Sequence, residues 1–131
     1  MAEEAWDADP TEEQATEPEP TTYYRNVDEF VREFLASAYR RTLSDRGTPP
    51  FWDPEWWRHE EAIMRLEALW RAWEQLRLDP ALGMSVWWRD HADHHMPALM
   101  ADTGPFRYAK AKTNPGEPLP CTAPPAGMFP G

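Results

Sequence analysis

The apolar positions of this chain fall into three stretches with helical spacing, separated by clusters of Asp, Gly and Pro. In "YYRNVDEFVREFLASAYRRTL", Val27, Phe30, Val31, Phe34, Leu35 and Ala38 recur every three or four residues, the spacing that lines one face of an α-helix. Asn26 stands where an N-cap is needed, Glu29 can complete a capping box, and Asp28 and Glu29 suit the positive end of the helix. Arg40 and Arg41 lie near the other end, and "DRGTPP" at 45-50 stops the helix. A second helix is predicted from a cap at Asp53, with Pro54 in its first position, to about Leu78. Trp56, His59, Ile63, Leu66, Trp70 and Trp73 form its inner seam, broadened by Leu69 and Leu76. Glu61 with Arg65 and Glu67 with Arg71 form i,i+4 pairs on its outer face, each adding only ~0.2–0.5 kcal/mol. A third helix is expected from Ser85, with Trp88, His91, His95 and Leu99 on one face. Pro97 lacks the amide that would bond back to Asp93, which predicts a kink or break around His95. No pair of segments alternates with period two, and there is no internal repeat and no glycine-rich phosphate loop. The expected fold is all-α, a compact bundle of three main helices.

Composition changes this picture at the two ends. Residues 1-22 hold eight acidic side chains, no basic one, and Trp6 as the only large apolar group. Such a segment buries too little surface to offset the entropy of ordering it, and is expected to be a disordered acidic tail. Residues 110-131 hold six prolines and three glycines and are expected to be a flexible, extended tail. The Trp-rich helical domain is then 23-109, a size that folds alone.

Of the net charge of −10, eight units sit in the acidic tail, so the remainder is nearly balanced. That balance removes the uniformly basic surface typical of nucleic-acid binders, although a local arginine stripe remains open. Cys121 is the single cysteine, which excludes an intrachain disulfide and a thiolate zinc cluster. There is neither a basic, apolar leader nor an apolar run of membrane-spanning length, so a soluble cytoplasmic location is expected, without a membrane partner.

The runs "EWWRHEEA", "LEALWRAWE" and "WWRDHADHHM", within residues 51-106, together with the helix "YRNVDEFVREFLASAYRR" before them, resemble an actinobacterial family of unknown function, number 4913. The resemblance implies a small protein of plasmids, integrative conjugative elements or phages. It brings no catalytic residues with it.

Three classes of chemistry remain. Adjacent tryptophans on a helix point about 100° apart, so in the pairs 56-57 and 87-88 only one of each can face a given neighbour. Trp57 and Trp87 are therefore expected on a partly exposed rim with Arg58 and Arg89, the residue types that dominate binding hot spots. The leading expectation is a non-enzymatic protein-interaction module with a protein partner and no cofactor. The alternative is a zinc-binding protein or metal-dependent enzyme. His91 and His95 are i,i+4 neighbours with Asp90 beside them, and His59 on the second helix would add a ligand. Against it, Ile63 stands where a metalloprotease helix needs a second histidine, and no Glu-x-x-His spacing exists. A second alternative is nucleic-acid binding through Arg58, Arg65, Arg71 and Arg89 with tryptophan stacking. His59, as a seam residue, is expected to face another helix, its neutral form favoured unless Glu60, Asp90 or Asp93 supplies a counter-charge.

Overall fold

The computed structural model describes residues 21–131; the expected acidic tail, apart from Thr21 and Thr22, lies outside the described residues. The described chain is all-α, without a β-strand among those residues. Its first helix, α1, is a continuous run of α-helical Val27–Phe30, π-helical Val31–Leu35 and α-helical Ala36–Ala38. Helix α2 is Glu60–Leu76, preceded by a single 3₁₀ turn at Trp56–Arg58. Helix α3 joins α-helical Gly83–Val86, π-helical Trp87–Ala92 and α-helical Asp93–Met100.

The start of α1 follows its sequence closely. Asn26 is extended (φ −159°, ψ 176°), and its side-chain oxygen accepts from the Glu29 amide at 2.8 Å. The Glu29 carboxylate reaches one residue further back than a capping box would, to the Arg25 amide at 2.9 Å. Val27, Phe30, Val31 and Leu35 are buried on the inner face. At the other end the Arg40 guanidinium donates to the Ser37 carbonyl, satisfying one of the helix's unpaired acceptors.

Helix α2 begins six residues later than predicted, at Glu60 instead of Pro54. The Asp53 side chain does accept from a following amide, that of Glu55 at 2.9 Å, but this closes a local turn and not a helix start. Glu55 (φ −98°, ψ 51°) and His59 (φ −113°, ψ 118°) then leave helical geometry on either side of the 3₁₀ turn. On either side of Asp53 the indoles of Trp52 and Trp57 donate to carbonyls of the C-terminal segment. Ala62, Leu66, Leu69, Trp70 and Glu74 form the buried stripe, while Arg65 and Arg71 pair with Glu61 and Glu67 at 3.0 and 3.5 Å as expected.

Gly83 opens α3 where the chain turns back on α2, so close that an added Cβ would collide with the Leu76 carbonyl. The predicted break at His95 is absent. Pro97 lies inside the α-helical stretch, and the carbonyl it leaves without a donor belongs to exposed Asp93, where water can bond it. The irregularity falls earlier, in the π turn, where the Asp93 amide bonds five residues back to Trp88.

Residues 110–131 correct the expectation of a free C-terminal tail. They form neither helix nor strand, as their prolines dictate, yet they lie across the body as a strap. Leu119 is 3 % exposed and Phe129 stacks on Trp56 with centroids 5.6 Å apart. The carbonyls of Pro120 and Thr122 accept from the indole N–H groups of Trp52 (2.7 Å) and Trp57 (2.9 Å), the Phe129 carbonyl accepts from Asn26 at 3.1 Å, and the Leu119 amide donates to Ala36 at 3.0 Å. A strap with no ladder of its own has carbonyls to spare, and buried indoles need acceptors. Prolines also reduce the entropy lost when such a segment is fixed. The packed unit therefore extends well beyond residue 109.

Candidate functional site

Tyr39, just beyond α1, is the focus of the more apolar of two surface clefts. Its ring stacks on Trp88 of α3 (centroids 5.9 Å apart, planes at 15°), and the Arg41 guanidinium lies 3.8 Å from its centroid. Pro49 and Pro50 of the α1–α2 connection and Pro97, Met100 and Ala101 of α3 complete a cleft of about 460 Å³. Tyr39 and Met100 are each 4 % exposed, so they form a fixed floor, whereas Arg41 and Pro97 are exposed at the edge.

The second groove, of about 330 Å³, runs beside α2 between Thr21, Thr22, Trp70, Arg71, Arg77 and Leu78. Beneath it lies Glu74, whose carboxylate accepts from the Tyr23 and Tyr24 amides at 2.8 and 2.9 Å, the Trp70 indole at 3.0 Å and Arg77 at 3.1 Å. Burial alone would push this carboxyl up, but the two amides, Arg77 and Trp70 together hold it below the usual glutamate range. The Arg77 guanidinium also lies over the rings of Tyr23 and Trp73, at 5.8 and 5.7 Å.

The predicted aromatic rim is only half present. Trp57 is partly exposed beside exposed Arg58, although its indole N–H is already committed to Thr122. Trp87 is fully buried and corrects the expectation. It packs edge-on against Phe30 and Phe34 and donates to the Leu69 carbonyl at 3.0 Å. The π turn explains the discrepancy, since its wider winding lets Trp87 and Trp88 both face α1, one against Phe34 and the other against Tyr39. Arg89 is exposed, but it forks onto Asp90 at 2.7 and 2.9 Å and so holds that carboxyl below its ordinary range.

The histidines are also separately occupied. His59 faces no other helix squarely; its ring lies edge-on to Phe106 and its Nε2 is 2.8 Å from Asp53, a counter-charge not anticipated among Glu60, Asp90 and Asp93. The His95 Nδ1 accepts from Arg65 at 3.0 Å. Burial, and then the positive charge of Arg65, push the His95 ring below the ordinary histidine value. Among the described residues no three His, Cys, Asp or Glu side chains converge on a point that could hold a metal, so His59, His91, His95 and Asp90 are not brought together. Cys121 belongs to the strap and packs partly buried against the core, where burial pushes its thiol up to about 11, far from the range of a reactive thiolate.

Sequence reasoning missed Tyr39, Arg41 and Glu74. An acidic residue one turn after Trp70, inside the apolar seam, was the available signal for Glu74. Tyr39 and Arg41 lie past the end of α1, where helical periodicity carries no information.

The fold and its clefts define a small, tryptophan-rich all-α module bound together by an irregular strap. A family model described as "Domain of unknown function (DUF4913)" matches residues 24–126, and the chain belongs to that family. No curated protein and no solved structure matches it significantly. The matched region includes most of the strap, in keeping with its packed role.

Proposed function

We propose that the chain is a non-enzymatic protein-interaction module, acting in the cytoplasm as an accessory protein of an actinobacterial mobile element, the setting that its family resemblance implies. The observation that carries the interaction reading is the cleft of Tyr39, Arg41, Pro49, Pro50, Pro97 and Met100. Aromatic rings, methionine and arginine are the side chains enriched where proteins meet, and a rigid apolar floor beneath one exposed guanidinium is the arrangement of a binding hot spot. The four arginines considered for phosphate contact are less suited to that task. Arg58, Arg65 and Arg89 are each held closely by a carboxylate, Glu55, Glu61 and Asp90, so a nucleic acid would have to displace a neighbour at three of the four, and only Arg71, 3.5 Å from Glu67, is loosely paired.

Affinity capture from a host extract tests the cleft. Full-length chain is compared with Arg41→Glu and Pro97→Glu variants, both changes being on exposed side chains that leave the core intact. A protein retained by the parent chain and lost by both variants, at unchanged thermal stability, supports the proposal. Identical partners for all three chains would remove the cleft from it.

A further inference from the structure

We propose that the groove beside α2 is the docking site of the chain's own acidic segment, with Trp6 and its flanking carboxylates in "EEAWDAD" (3-9) as the occupant. Three observations support this occupant. Thr21 and Thr22, which directly follow the acidic segment in sequence, form part of the groove's wall. The fourteen residues between Trp6 and Thr21 are enough to return Trp6 to the groove, since a chain covers at most ~3.3–3.6 Å per residue, and so short a tether sets an effective concentration on the order of millimolar. The groove's size, about 330 Å³, admits an indole, and its apolar surface is the edge of Trp70 with Leu78, which is 63 % exposed.

Charge favours the same match. Arg71 and Arg77 flank the groove, and Arg71 is 71 % exposed with only a loose 3.5 Å contact to Glu67. The one acidic group beneath, Glu74, already accepts four hydrogen bonds. Its charge is thus spread over fixed donors, leaving Arg71 to attract a further carboxylate. The segment brings Glu3, Glu4, Asp7 and Asp9 around its single tryptophan and carries no basic residue to compete. A basic or uncharged peptide would forgo this pairing.

Paramagnetic relaxation in the full-length chain tests the docking. A nitroxide is attached at Ala5→Cys in a Cys121→Ser background, and the amides of Arg71, Gln75 and Leu78 and the Trp70 indole are observed by NMR. Docking predicts that these signals broaden relative to the reduced label, while those of the Tyr39 cleft do not. Broadening should fade at 1 M salt, where screening acts within ~3 Å, and should be lost in Arg71→Glu and Leu78→Asp, whose spectra also report that the fold is intact. Broadening confined to residues next to Thr21, or unaffected by both substitutions, overturns the proposal. So does broadening that appears only between labelled and unlabelled copies in a mixed sample, which would make a second chain the occupant.

Discussion

Replacing Glu74 with alanine should be among the most damaging single changes available in this protein. The side chain is 9 % exposed and accepts four hydrogen bonds, two of which, from the Tyr23 and Tyr24 amides, tie the chain entering α1 to the C-terminal half of α2. Truncation leaves four donors without an acceptor, and their fates differ. The Tyr23 amide and the Arg77 guanidinium are partly exposed and can turn to water. The Tyr24 amide and the Trp70 indole are buried, and stranding a buried donor costs about 1–3 kcal/mol each. The expected loss is thus about 2–6 kcal/mol, a large share of the 5–15 kcal/mol typical of a domain. At roughly 4 °C per kcal/mol, the midpoint of thermal unfolding, followed by tryptophan fluorescence, should fall by about 8–24 °C. Glu74→Gln keeps the shape and one acceptor oxygen but turns an NH₂ group toward donors, and should fall between alanine and the parent. The pH dependence has a definite sign. Because the folded carboxyl lies below its unfolded value, its stabilisation is complete above the unfolded pKa and is lost as pH falls through the folded one. A Glu74→Ala midpoint within about 2 °C of the parent, equivalent to ~0.5 kcal/mol, would refute this account of the anchor.

Other substitutions separate packing from hydrogen bonding. Trp87→Phe removes the bond to Leu69, whereas Trp56 has no partner for its indole N–H among the described residues; urea denaturation should therefore show Trp87→Phe to be more destabilising than Trp56→Phe by about 1 kcal/mol. Gly83→Ala should destabilise by more than the ~1 kcal/mol that alanine normally gains over glycine in a helix, because its Cβ would meet the Leu76 carbonyl; an unchanged or raised melting temperature would contradict the close approach. His95 should titrate below the ordinary ~6.5 by NMR, so stability gains from it as pH rises from the folded value to the unfolded one. In Arg65→Gln its pKa should move back up, since a nearby positive charge is removed.

How much of this was legible in the sequence differs from element to element. The start and inner face of helix α1 could be read from its cap, first-turn acids and apolar spacing, which act locally. Its end could not: the chain leaves helical geometry at Tyr39 (φ −111°, ψ 69°), before Arg40 and Arg41 and short of the expected stop at 45-50. The late start of α2 could not, because Asp-Pro is a sound local helix signal and what overrides it is distant: the indoles of Trp52 and Trp57 seek carbonyls some 65 residues away in sequence. The position of Trp87 was hidden by a different cause. Reading faces from 3.6-residue periodicity assumes α-helical winding, and the π turn at Trp87–Ala92 changes the phase where two tryptophans adjoin. In the candidate site, the exposure of Arg58 and Arg89 followed from their polar positions. The commitment of His59 to Asp53 spans six residues across a non-helical turn and left no periodic trace.

The strap also sets when the molecule can become itself. A chain emerging from the ribosome can wind α1, α2 and α3 as their residues appear, because helical bonds are short in sequence. Trp52, Trp56 and Trp57 must wait, since the acceptors of two and the stacking partner of the third lie between Pro120 and Phe129. Until those residues have been synthesised, a nascent chain with all three helices formed still presents three unfinished indole surfaces to its surroundings. Only then can the proline-rich segment close over them. The interval before that step is when this small protein is most open to aggregation and most dependent on whatever shields apolar surface in the cell.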